Sequence, residues 1–137
     1  MKDLRKKVVK NEFEELACQI KLWGQETDFV VYLDEEDGCG KDIYFELIEE
    51  RLEFVEGNKG MLIEAMLDAV FEERVDKTKT RDDFKKDLSI MGAFVEAGFE
   101  DYLDISFTLP PEYYGEETYI DVCVNEDNEI ESISVES

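Results

Sequence analysis

The hydrophobic period of this chain changes twice, from two residues to between three and four and back to two, and that order limits the folds open to it. Ile20 and Leu22 alternate with Lys21 and Trp23, the pattern of a strand. Gly24-Gln25-Glu26 marks a turn, and Phe29, Val31 and Leu33 then alternate with Val30 and Tyr32, giving a second strand and a hairpin. Beyond an acidic, glycine-bearing stretch, Ile43, Leu47, Ile48, Leu52 and Val55 fall at helical spacing from Asp42 to about Glu56. Gly57 and Asn58 break that helix. Leu62, Ala65, Met66, Ala69 and Val70 form the stripe of a second helix, which runs to about Arg74. Thr80-Arg81-Asp82-Asp83 has the form of a capping box, with Thr80 as N-cap and Asp83 returning to the backbone. A short third helix should follow through Phe84 to Leu88.

The period then returns to two. Ile90 to Val95 reads as a strand, and Leu103, Ile105, Phe107 and Leu109 alternate with Tyr102, Asp104, Ser106 and Thr108. Pro110-Pro111 stops that strand, because proline cannot donate to a sheet ladder. Ile120, Val122 and Val124 alternate with Tyr119, Asp121 and Cys123; Asn125 to Asn128 is a turn, and Ile130 to Val135 returns as a last strand. The expected order is ββ-αα(α)-ββββ. Strands at both ends with helices between them imply an α+β domain: a mainly antiparallel sheet with two to three helices packed on one face. A length of 137 residues suits one such domain, over 13–137, with residues 1–12 as a helical or loose basic lead-in.

Charge narrows the function classes. The formal net charge is −22, while 43% apolar residues supply enough side chains for a core. Direct binding to nucleic acid or to an anionic membrane needs Lys and Arg, so neither is expected; a basic protein partner is. The distribution sharpens this. Lys2, Arg5, Lys6, Lys7 and Lys10 crowd the first ten residues, yet from Asp87 to Ser137 there are fourteen acids and no Lys or Arg. No apolar run is long enough to span a membrane, and the basic start leads into no secretory signal core. Cys18, Cys39 and Cys123, odd in number and widely spaced, fit a reducing cytoplasm better than a disulfide framework or zinc site.

Chemistry is poorly provided for. There is no histidine, which removes the commonest general base, the commonest metal ligand and every Ser-His or Cys-His nucleophile. No glycine-rich phosphate loop is present. None of the 37 carboxylates is singled out as a catalytic pair. The loop Asp34-Glu35-Glu36-Asp37-Gly38 fails as a calcium loop: with Gly38 at position 6, position 1 falls on Leu33. Neither cofactor nor metal nor enzymatic activity is therefore expected. Trp23, beside Gly24, is either packed on the sheet edge or an anchor for a partner.

Trp23-Gly24 precedes a strand ending Tyr32-Leu33-Asp34-Glu35-Glu36-Asp37. Two helices, Thr80-Arg81-Asp82-Asp83-Phe84-Lys85-Lys86-Asp87-Leu88-Ser89, the strand Tyr102-Leu103-Asp104-Ile105-Ser106-Phe107, and then Gly115 and Ile120-Asp121-Val122 follow. This order of short elements resembles a bacterial domain-of-unknown-function family whose members are proposed to act as immunity proteins in toxin loci. Members commonly place Gly-His directly before the Ile-x-Val strand; here Gly115 leads into Glu116-Glu117-Thr118-Tyr119, so any role of that histidine is absent. The resemblance implies a cytosolic immunity protein covering the cationic surface of a basic toxin domain, such as a nuclease, with carboxylates. Two other readings stand beside it: a nucleic-acid mimic or acidic adaptor for a host DNA- or RNA-binding protein, and an enzyme working through carboxylates.

The strand alternation locates a surface for such a partner. It places Tyr102, Asp104, Tyr119 and Asp121 on the face turned away from the helices. Tyrosine beside carboxylate supplies aromatic area for burial and charge for steering. Glu116 and Glu117, and the loop Asp34, Glu35, Glu36 and Asp37, would extend that patch.

Overall fold

The first hairpin closes more tightly than its sequence suggests. Leu22 pairs with Gln25, so Trp23 and Gly24 alone form the turn, both at positive φ (51° and 80°). That sign pattern is the one a two-residue hairpin needs to match strand twist. Gln25 and Glu26, expected in the turn, belong to the strand instead. A computed structural model describes residues 4, 8–10, 12, 15–33, 41–97, 102–125 and 127–136. Among them the elements run β1 (Val9–Lys10), β2 (Leu16–Leu22), β3 (Gln25–Leu33), α1 (Lys41–Gly57), α2 (Lys59–Val70), a 3-10 turn (Phe71–Glu73), α3 (Arg81–Asp87), β4 (Ser89–Ala97), β5 (Leu103–Leu109), β6 (Thr118–Val124) and β7 (Ile130–Glu136). This is the expected α+β order, with one added strand at the start. The basic lead-in contributes to the fold: Leu4 is fully buried, and β1 pairs with Leu16 and Ala17.

The seven strands form one sheet in sequential order, antiparallel throughout except where β3 meets β4. A parallel pair needs a crossover connection, and the three helices supply it between Leu33 and Ser89. α3 starts where the sequence places it. Thr80 Oγ1 accepts from the Asp83 backbone N–H, while the Asp83 carboxylate accepts from the Thr80 N–H at 2.9 Å. Lys85 and Lys86 in its last turn complement the helix dipole.

The core lies between the helices and one sheet face. In β5 and β6 burial alternates strictly: Leu103, Ile105, Phe107, Leu109, Ile120, Val122 and Val124 are buried and the residues between them half-buried. From the helical layer come Ile48, Leu52, Leu62, Met66 and Leu67. Phe84 stands edge-to-face between Phe71 and Tyr113, both 6.1 Å away. β4 carries a register shift between Ile90 and Gly92, which interrupts its alternation and explains why its sequence pattern is the weakest of the strands.

Candidate protein-binding face

No described helix lies over the other sheet face, and the strand register sets out which side chains share it. Residues directly opposite one another across a ladder point the same way. One row therefore crosses the sheet as Gln19, Asp28, Gly92, Ser106, Asp121 and Ser134. The next crosses as Ala17, Val30, Phe94, Asp104, Cys123 and Ser132. Tyr119 lies on the same face, opposite Thr108 and Glu136. Tyr102, just ahead of β5 and two residues from Asp104, is half-buried at the same parity. Asp104, Asp121 and Tyr119, expected on this face from alternation alone, are thus brought together on it.

Polar contacts order the carboxylates. Ser106 Oγ donates to Asp121 Oδ1 at 2.6 Å, and Gln19 Nε2 donates to Asp28 Oδ1 at 3.2 Å. At the centre, over the parallel pair, the face is apolar. Phe94 is 37% exposed and Tyr32 42%, their rings edge-to-face at 5.9 Å, with Val30 directly opposite Phe94. Parallel strands are ordinarily covered on both sides, so apolar residues on both faces of β3 are what such a strand carries. Val30, Tyr32, Gly92, Phe94 and Asp28 escaped the sequence reading. The signal was there: Phe29 to Leu33 is apolar at every position, the mark of a strand covered on both sides rather than on one.

Other candidate residues fall differently. Glu116 and Glu117 are exposed on the loop after β5, but that loop is tied to the helical side. The Tyr113 hydroxyl donates to Asp87 Oδ2 at 2.8 Å, the Tyr114 hydroxyl to the Val70 carbonyl at 2.7 Å, and the Val75 N–H to the Tyr113 carbonyl at 2.6 Å. Burial, then the bond to Asp87 and its charge, push the Tyr113 phenol well above its ordinary range; burial likewise raises that of Tyr114. Asp34, Glu35, Glu36, Asp37 and Cys39 lie outside the described residues. Trp23 is half-buried and packs against the core side of the sheet rather than on its edge. Its indole stacks on Phe107 at 5.6 Å, its Nε1–H donates to the Val55 carbonyl at 2.9 Å, and its backbone N–H donates to Glu56 Oε2 at 2.8 Å. Positive φ at Trp23 turns the side chain under the sheet, which alternation in β2 could not reveal.

On the helical side, ion pairs join α2 to α3. Arg81 lies 3.3 Å from Glu64 and 3.5 Å from Asp68, and Lys85 lies 3.1 Å from Glu64. A depression of about 410 Å³ is lined there by Lys59, Gly60, Ile63, Glu64 and Lys85. Cys18 and Cys123 stand on opposite faces of the sheet, so they cannot bridge one another. Among the described residues no group of three or more Cys, Asp or Glu is placed to hold a metal ion, and no helix is long and apolar enough to cross a membrane.

Comparison with protein-family models, with curated proteins and with solved structures finds no match.

Proposed function

We propose that this protein binds a basic protein domain on the open face of its sheet and neutralises it by covering its cationic surface. The partner is a toxin domain such as a nuclease, in keeping with the resemblance to immunity proteins. The observation that carries the reading is the composition of that face: exposed Tyr32 and Phe94 at its centre, with Asp28, Asp104 and Asp121 around them in register. Aromatic anchors bury area, and carboxylates steer a cationic surface and fix its register. Occlusion needs no proton transfer, which suits a chain without histidine.

The test is the double substitution Asp104→Lys with Asp121→Lys, assayed for binding to a basic nuclease toxin domain. Breaking buried charge contacts at an interface costs roughly 2–5 kcal/mol, and reversal of sign costs at least as much. Binding should be lost with the thermal transition retained. Undiminished protection by the double variant would place the site elsewhere, on the Asp34–Asp37 loop and the helix that follows it.

A further inference from the structure

The rows that cross the open face end on β7, and this edge of the sheet is unlike the other. Among the described residues β7 has a strand partner on one side, β6, so half of its backbone N–H and C=O groups point outward along seven residues. Edge strands are ordinarily guarded by shortness, lysine, proline or a bulge. At the opposite edge β1 is two residues long and carries Lys10, and Lys21 is exposed on β2 behind it. β7 has neither lysine nor proline. Its register shift places the extra residue at Glu131, near the turn, and leaves Ser132 to Glu136 in unbroken register with β6.

The two faces of β7 define what fits beside it. On the helix side, Ile120, Val122 and Val124 of β6 are fully buried, whereas Val135, Ile133 and Ile130 opposite them are half-buried. The apolar layer thus stops one strand short of full cover. On the open face β7 presents Ser132, Ser134 and Glu136, all exposed. Glu131, and Asp127 and Glu129 in the adjoining turn, are exposed as well. No Lys or Arg occurs from Asp87 to the end of the chain. A second copy of this edge would bring like charges together in a chain of net charge −22; a cationic strand would not.

We propose, resting on the basic-partner reading, that β7 takes an eighth strand from the partner: an extended segment that alternates apolar residues with Lys or Arg. Its backbone pairs with the outward groups of β7, and its apolar side chains extend the row of Ile130, Ile133 and Val135. Its cations lie on the open-face side, beside Glu136.

The probe is a peptide as long as β7 that alternates valine and lysine, titrated at an ionic strength of about 0.15 M so that general attraction is screened. It is compared with the same peptide N-methylated at every backbone amide, which keeps the side chains and their charge but cannot donate to a ladder. The unmethylated peptide should bind at least about tenfold tighter, since each of several backbone hydrogen bonds contributes a few-fold. Hydrogen exchange should slow at the amides of β7 and not at those of β1 and β2. Ser132→Lys with Ser134→Lys sets guarding cations on exposed positions of the edge, and should weaken binding about tenfold with the thermal transition retained. The methylation comparison uses the unaltered protein and decides the matter should that variant misfold. Equal affinity for the two peptides, binding of neither, protection centred on β1 and β2, or undiminished binding by the folded lysine variant overturns the strand-addition assignment. Exchange at β7 that slows with protein concentration alone gives the edge to a second copy and overturns it too. Failure of the binding reading is distinct, since it would show as toxin binding unaffected by the Asp104→Lys and Asp121→Lys pair.

Discussion

Replacing Trp23 by alanine removes a side chain that joins the first hairpin turn to both the sheet centre and the end of α1. Its indole is half-buried between Phe107 and Val55. Burying about 100 Å² of indole at about 25 cal/mol per Å² contributes about 2.5 kcal/mol. The Nε1–H bond to the Val55 carbonyl contributes about 1 kcal/mol more. Trp23→Ala should therefore lower stability by about 3–4 kcal/mol, or about 10 °C or more in Tm for a chain of this size. Trp23→Gly deletes one carbon further, yet should be the more stable of the two variants by about 1 kcal/mol. At φ 51° a Cβ meets the following carbonyl, and glycine is relieved of that contact. Equilibrium urea unfolding with an unchanged m-value would measure both. An alanine variant as stable as the glycine variant, or a total loss below about 1 kcal/mol, would refute the description of Trp23 as an interior clamp at a left-handed turn position.

Three further outcomes are expected. With a net charge of −22, like-charge repulsion should be relieved by salt, so Tm should rise between low and moderate NaCl; a flat or falling Tm would mean that local ion pairs offset the repulsion. The Tyr113 phenol is raised above its ordinary value of 10.0, so its contribution is whole below pH 10 and is lost as pH rises beyond that; Tyr113→Phe should flatten the alkaline limb of the stability profile. Thr80→Ala removes the side-chain acceptor for the Asp83 N–H and should cost about 1 kcal/mol in urea unfolding, while Thr80→Asp, which keeps an acceptor, should cost less.

The helical segment was legible because its signals are local. A 3.6-residue stripe, the Gly57-Asn58 break and the Thr80–Asp83 box act within a few residues, and the structure places three helices where they point; Leu47 and Ala69 of the expected stripes are exposed, Phe45, Ile63 and Leu67 are buried instead, and α2 gives way to a 3-10 turn after Val70. The C-terminal meander was legible for the same reason. Strict alternation in Leu103–Leu109 and Thr118–Val124, ended by Pro110-Pro111, settles which side chains face the core, and so puts Asp104 and Asp121 on the other face. The acid excess of residues 87–137 is likewise a property of the sequence alone.

What tertiary structure decided is non-local. That β3 and β4 lie side by side and parallel depends on a crossover of three helices, and no short-range pattern encodes which strands a crossover joins. That pairing alone puts Val30 opposite Phe94, brings the Tyr32 ring to it, and sets Gly92 between Asp28 and Ser106. The fate of Trp23 was hidden for a related reason. A turn residue at positive φ leaves the strand's alternation, so only the packed partners, Phe107 and the end of α1, show where its side chain goes. Period and charge are summed along the chain and can be read there; register across a parallel pair is set by the packing of the whole domain, and the centre of the open face exists only once that packing is complete.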